Sequence, residues 1–164
     1  MFERLHALCQ GIEQLSFAQQ IRESAWMFPT LETLHVIALA VVVGSILSVD
    51  IRLLGRGSHT AAFTVLAREL LPWAWGGFVL ASLAGLLMFA SKAVTYAENG
   101  PFQAKLLLLL LACCNMALFH GLGMRNVQQW DTRQPPLAAK LAGAFSILLW
   151  VGVVAAGRWI GFTT

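Results

Sequence analysis

The side chains best equipped for chemistry in this sequence are His35, His120, Met88, Met116, Lys92, Lys105, Arg158 and Glu32, and all lie inside or beside long apolar runs. Imidazoles and thioethers are axial ligands for haem iron, and lysine or arginine cations can pair with its propionates. The same imidazoles and amines can hydrogen-bond a quinone headgroup, and histidine together with methionine suits copper. An ionisable side chain at membrane depth costs about 2.5–3.5 kcal/mol on insertion scales, so each is a functional candidate by default.

The elements that must position these groups follow from composition. The chain has 164 residues, of which 58% are hydrophobic and only 12% charged, too little polar surface to cover a soluble globule. It reads as an all-α integral membrane protein: an antiparallel four-helix transmembrane bundle with an N-terminal interfacial amphipathic helix. Residues 1–26 form the interfacial segment. Residues 27–164 form the bundle, with spans at about 27–54, 72–96, 102–123 and 137–162, each beyond the roughly 20 residues that a bilayer requires. Pro72 is expected in the first turn of span two. The turn Glu98–Pro101 is expected to make spans two and three antiparallel neighbours. The connection beginning at Gly55 and Gly57 carries a short amphipathic stretch from Ala61 to Leu70, and the connection from Asn126 to Pro136 is polar.

Residues ahead of span one show no basic region leading into an apolar core, so that span is expected to serve as its own targeting signal. The formal charge of +3 comes from basic residues scattered singly between spans, which argues against nucleic acid. Lysines and arginines slightly favour a topology with both termini outside, leaving Arg52, Arg56, Arg68, Arg125, Arg133 and Lys140 inside. Cys9, Cys113 and Cys114 form no framework and are expected as small buried residues. Asp50 and Arg52 read as a cap and a topology charge at the inner end of span one.

At about 1.5 Å per residue, His35 lies roughly 10 Å below the outer end of span one. Glu32 stands one turn above it, and Met88, Lys92, Lys105 and Arg158 fall in the same half of the bundle. His120 and Met116 lie toward the opposite end of span three, as a possible second site. On span two, Gly77, Ala81, Gly85, Met88 and Lys92 recur every three or four residues, a small-residue stripe that lets a helix or a flat cofactor approach. Lys105, Ala112, Met116 and His120 share a face of span three, and Trp150 and Arg158 share one on span four.

At these residues the chain resembles an uncharacterised family of small bacterial four-span inner-membrane proteins. The segment Trp26, Pro29, Glu32, His35, the pattern Gly44, Arg52, Pro101, Phe102, Lys105 and His120, and the ending Gly157, Arg158, Trp159 carry the likeness. It is more distantly similar to the HemJ family of protoporphyrinogen oxidases and to the membrane domain of the CopD copper-resistance family. The HemJ resemblance implies b-type haem and carries over His35 and Lys105, without transferring the oxidase activity. The family resemblance implies a multi-pass protein of the bacterial inner membrane, and the lysine and arginine distribution places both termini on the periplasmic side.

The expected function is therefore a membrane b-type haem protein in electron transfer or redox chemistry, with His35 as iron ligand and a quinone or periplasmic redox protein as partner. A cofactor-free membrane anchor or partner subunit is one alternative, and copper or small-solute handling through His35, Met88 and Met116 is another. Membership of a homo-oligomer or larger membrane complex is compatible with each. Enzymatic activity is left open by the sequence.

Overall fold

The computed structural model describes residues 2–56, 62–122 and 127–163. Gly57, Ala61, Gly123, Arg125 and Asn126, which the sequence assigns to connections or a span end, lie outside the described residues. Four long helices dominate: α3 (Met27–Leu53), α4 (Phe63–Ser91), α6 (Gly100–Leu122) and α8 (Leu137–Thr163). At 27 residues, α3 and α8 are each about 40 Å long, longer than the hydrocarbon core of a bilayer. The outer faces of α4, α6 and α8 expose Leu83, Leu86, Leu107, Leu110, Leu118 and Leu148, an apolar surface that suits lipid. The chain is a multi-pass membrane protein built as an all-α four-helix bundle.

Small residues decide which helices meet. On α4, Gly77 lies so close to α3 that an added Cβ would stand 3.0 Å from the Ala38 carbonyl oxygen and from Val42 Cγ2, and Ala81 is buried on the same stripe. Gly143 lets α8 approach α3, with Leu53 Cβ 3.0 Å and the Asp50 carbonyl 3.1 Å from its virtual Cβ, and Gly152 receives Leu108 of α6. Val42, Ala112, Leu149, Trp150 and Val153 close the core where α3, α6 and α8 converge.

The packing order is consequently α4, α3, α8, α6, with little approach between α4 and α6. Spans two and three are thus consecutive but splayed, a correction to the expectation of neighbours. The reason is local. The turn at Asn99 joins α6 to a short helix, α5 (Ala93–Glu98), and not directly to α4. Stacking of Phe89 on Phe102 at 5.4 Å, with Tyr96 beside both, links α4 to α6 at the end of the bundle that carries both termini.

The break between α4 and α5 falls at Lys92 (φ −145°, ψ 50°). Two N-terminal helices brace it: α1 (Phe2–Glu13) and α2 (Ser16–Glu23), which bury Cys9, Ala18 and Ile21. Arg22 Nη1 donates to the Ser91 carbonyl at 3.3 Å, and Glu13 Oε1 accepts from the Val94 amide at 2.9 Å. A cation thus meets a helix C-terminus and a carboxylate a helix N-terminus, each countering the local dipole. Asn99 Oδ1 accepts from the Phe102 amide at 3.0 Å while its Nδ2 donates to Thr163 Oγ1 at 2.8 Å, tying the start of α6 to the end of α8.

At the opposite end, α4 begins at Phe63, nine residues before Pro72, so the proline sits inside the helix and not in its first turn. What starts α4 is Asp131, beyond the short helix α7 (Val127–Trp130). Its carboxylate accepts from the Thr64 amide at 2.8 Å and from Thr64 Oγ1 at 2.7 Å, a cap supplied from a distant segment. Its carbonyl accepts from the Phe63 amide at 3.0 Å and from Arg52 Nη2 at 2.9 Å. Trp130 is buried beside Phe63, with ring centroids 5.3 Å apart.

This fold-over corrects the expectation for Asp50 and Arg52, which are 5% and 4% exposed and not surface charges. Cys113 and Cys114 also differ from expectation. Both are exposed on α6, which buries few of its residues, and Cys113 stands at the rim of the cavity between α4 and α6, whereas Cys9 is buried.

Candidate functional site

Two polar places interrupt the apolar interior. The first is centred on His35. Its Nδ1 lies 2.7 Å from the Ala81 carbonyl, which can only accept, so Nδ1 carries the proton. Nε2 then accepts from Lys105 Nζ at 3.4 Å. Glycines on the other two spans make the room. A Cβ on Gly85 would stand 3.2 Å from His35 Cε1, and one on Gly157 would stand 3.5 Å from Lys105 Nζ. Four helices therefore build one histidine–lysine pair.

Of the residues the sequence assigns to this half, Glu32 lies within electrostatic reach of His35 and of Tyr96. The others have separate contacts. Lys92 stands over the Phe28 ring at 5.9 Å, Arg158 over Phe162 of its own helix at 5.0 Å, and the Met88 carbonyl accepts from Ser91 Oγ at 2.7 Å. Among the described residues no three His, Cys, Asp or Glu side chains gather around a point that could hold a metal ion.

A b-type haem at His35 needs a ligating nitrogen, a pairing cation and a flat slot. The Nδ1–H to carbonyl bond orients Nε2 as metal-bound histidines are oriented. Lys105 supplies the cation. The slot is the misfit, because Lys105 itself stands at Nε2, and neither residue lines the large cavity of the bundle. As arranged, the surroundings of His35 do not accommodate a porphyrin ring.

The second place is that cavity, about 530 Å³, in the half of the bundle away from the termini, where α4 and α6 diverge. Trp75, Phe78, Phe119 and Trp150 give it aromatic walls, and Leu109, Ala112 and Met116 give it aliphatic ones. Polar atoms reach it from Asp50 on α3, Thr64 and Arg68 on α4, Asn115 and His120 on α6, and Ser146 on α8. His120 Nδ1 is engaged by the Met116 carbonyl of its own helix at 3.1 Å, and Asn115 Nδ2 donates to the Ala142 carbonyl at 3.0 Å. The Ser146 hydroxyl bonds the Asp50 carboxyl, whose Oδ2 has no hydrogen-bond partner among the described residues.

Asp50 is the functional candidate that sequence reasoning mistook for a cap. A signal existed: it closes a long apolar run within span one, where a carboxyl needs a partner or a purpose. Trp75, Asn115 and Ser146 carried no signal of their own, since only the splay of α4 from α6 brings them to a common space.

No curated protein and no solved structure matches the chain. Residues 22–163, which take in all four membrane-length helices, match one family throughout. The chain belongs to that family, DUF6644, described as a family of unknown function.

Proposed function

We propose that the protein binds a ring-bearing lipophile of the quinone class in the cavity between α3, α4, α6 and α8, and serves as a membrane subunit of a redox system. The observation that carries this is the cavity itself. Small-molecule sites are concave, mostly apolar, and fitted with a few convergent polar groups, within a range of about 300–1,000 Å³. This one lies on the side where α4 and α6 part, so a bilayer-dissolved molecule can enter sideways without crossing water. Its aromatic planes suit a ring, and Asp50, Asn115, His120 and Ser146 supply hydrogen-bonding partners for ring oxygens.

A ubiquinone analogue with a ten-carbon tail, offered oxidised and reduced to the detergent-purified protein, tests the proposal. Saturable binding is expected, reported by quenching of Trp75 and Trp150 by the oxidised form. Obstruction of the gap by Cys113→Phe should weaken it at least tenfold. Non-saturable uptake, or equal binding by the obstructed variant, refutes it and leaves a cofactor-free anchor subunit.

One observation favours a second reading, haem at His35: the 2.7 Å bond from Nδ1 to Ala81 fixes the ring as a ligand would be fixed. Coordination there requires Lys105 to leave Nε2, and no chemical step is derived through the group. A dithionite-reduced spectrum tests it directly: a b-type band lost in His35→Ala supports haem, and a colourless protein expressed with ample haem removes it. Copper or solute handling would call on the same histidine with Met88 and Met116, of which Met116 lines the cavity that His35 does not reach.

A further inference from the structure

We propose that Asp50 is the headgroup contact of the cavity, and that the ligand it selects presents a ring hydroxyl, as a quinol or another phenol does. This rests on the cavity taking a ring lipophile, and ranks the hydroxyl-bearing members of that class above forms that lack the hydroxyl.

The inference begins with an unmet bond. Asp50 is 95% withdrawn from the surface, stands in the cavity wall, and has one carboxyl oxygen without a partner among the described residues. Ser146 hydrogen-bonds the same carboxyl from α8. Several neighbouring polar atoms are engaged elsewhere. Thr64 Oγ1 donates to Asp131, Asn115 Nδ2 to the Ala142 carbonyl, and His120 Nδ1 is engaged by Met116. Arg52, two residues along the same helix, turns its guanidinium to the Asp131 carbonyl and is not part of the cavity wall. Among the described residues of the cavity wall, the buried side-chain atom without a hydrogen-bond partner is therefore an acid oxygen.

The chemistry of that oxygen selects the ligand. A carboxylate only accepts hydrogen bonds, whereas a carboxylic acid can donate one and accept others. A ring carbonyl is served by the acid alone and is repelled by the carboxylate. A ring hydroxyl, at once donor and acceptor, satisfies Asp50 in either protonation state. Selectivity of this kind can be steep, because a site built to bond a hydroxyl rejects the analogue that lacks it by leaving a buried polar group unpaired.

The test compares a ten-carbon-tail ubiquinol analogue with its dimethyl ether, which keeps the ring and tail and removes both donor hydrogens. Equilibrium binding of the tritiated compounds is measured anaerobically on the detergent-purified full chain. The quinol should bind wild-type protein at least tenfold more tightly than the ether. Asp50→Leu should reduce that ratio to about one, and Asp50→Asn, which can still accept from a hydroxyl, should retain part of it. Equal binding of quinol and ether to wild type overturns the role of Asp50 while leaving the cavity as a lipophile site. Absence of saturable binding by both compounds overturns the cavity reading and this inference together. The wild-type comparison needs no variant to fold.

Discussion

Replacing Gly77 and Gly76 by alanine, one at a time, separates the α3–α4 seam from every other contribution to stability. An added methyl at Gly77 would stand 3.0 Å from a backbone carbonyl oxygen and from Val42 Cγ2, so the two helices must part by a few tenths of an ångström. The same methyl at Gly76 meets nothing within 4 Å. Both substitutions gain the same helix propensity, about 0.5–1 kcal/mol from the lost backbone freedom of glycine. That gain cancels in the difference between the variants, leaving the overpacking cost at Gly77, about 1–3 kcal/mol. For a chain of this size, each kcal/mol moves Tm by about 2–4 °C on the soluble-protein scale. Gly76→Ala is expected to match or exceed wild type in a thermal melt followed by circular dichroism in detergent, and Gly77→Ala to melt about 2–12 °C below Gly76→Ala. Equal melting of the two, or the reverse order, would refute the close approach of α4 to α3 on which the placement of His35 and the cavity depends.

Four further outcomes are expected. Lys105→Met leaves His35 Nε2 without its donor and should cost about 1 kcal/mol, read as a lower Tm. Asp131→Ala removes the carboxylate that caps α4 through Thr64 and should destabilise by about 1–2 kcal/mol in the same melt; an unchanged Tm would sink the assigned cap. Tyr96, the single tyrosine, has its phenol pushed above the ordinary 10.0 by burial and then by the Glu32 carboxylate, both of which disfavour phenolate. Its ultraviolet titration should have a midpoint above 10.0, moving down in Glu32→Gln. Asp50→Leu with Ser146→Ala, which removes both partners of the buried bond, should change Tm little while abolishing the preference for the quinol, since replacing both partners by apolar groups can be nearly neutral.

Composition and run length made the bundle legible, because a membrane span is written as a single long apolar segment that no other fold accommodates. The stripe Gly77, Ala81, Gly85 was legible for the same reason: only one face of α4 is small enough to meet α3. The pairing of His35 with Lys105 is a matter of height as well as face, and depth counting placed both near one level. What sequence could not deliver was lateral order. The four spans can be arranged around the bundle in several ways with identical depths, and the observed order depends on a one-residue break at Lys92 and on the insertion of α5. That same ambiguity hid the cavity, whose walls come from residues that share no spacing. Pro72 misled for a different reason. A proline marks a weak point in helix hydrogen bonding, and the cap that extends α4 ahead of it comes from Asp131, 59 positions beyond.

Asp50 and Arg52 carry opposite charges two residues apart on one helix, both buried, and each retains unpaired polar atoms. Two positions along a helix place side chains about 200° apart, so the pair cannot neutralise itself. Each must answer to something else. Arg52 answers to the Asp131 carbonyl, and through it the segment after α6 is fastened over the start of α4. Its role is structural, and the penalty of its remaining bare N–H groups is offset by the cap, the Phe63–Trp130 contact and the closed end of the bundle. Asp50 has no such return. It closes no loop and caps no helix, and a leucine in its place would pack against the same apolar walls. A buried polar group that stability does not require is most economically explained by a ligand, and the cavity beside it is where that ligand has room.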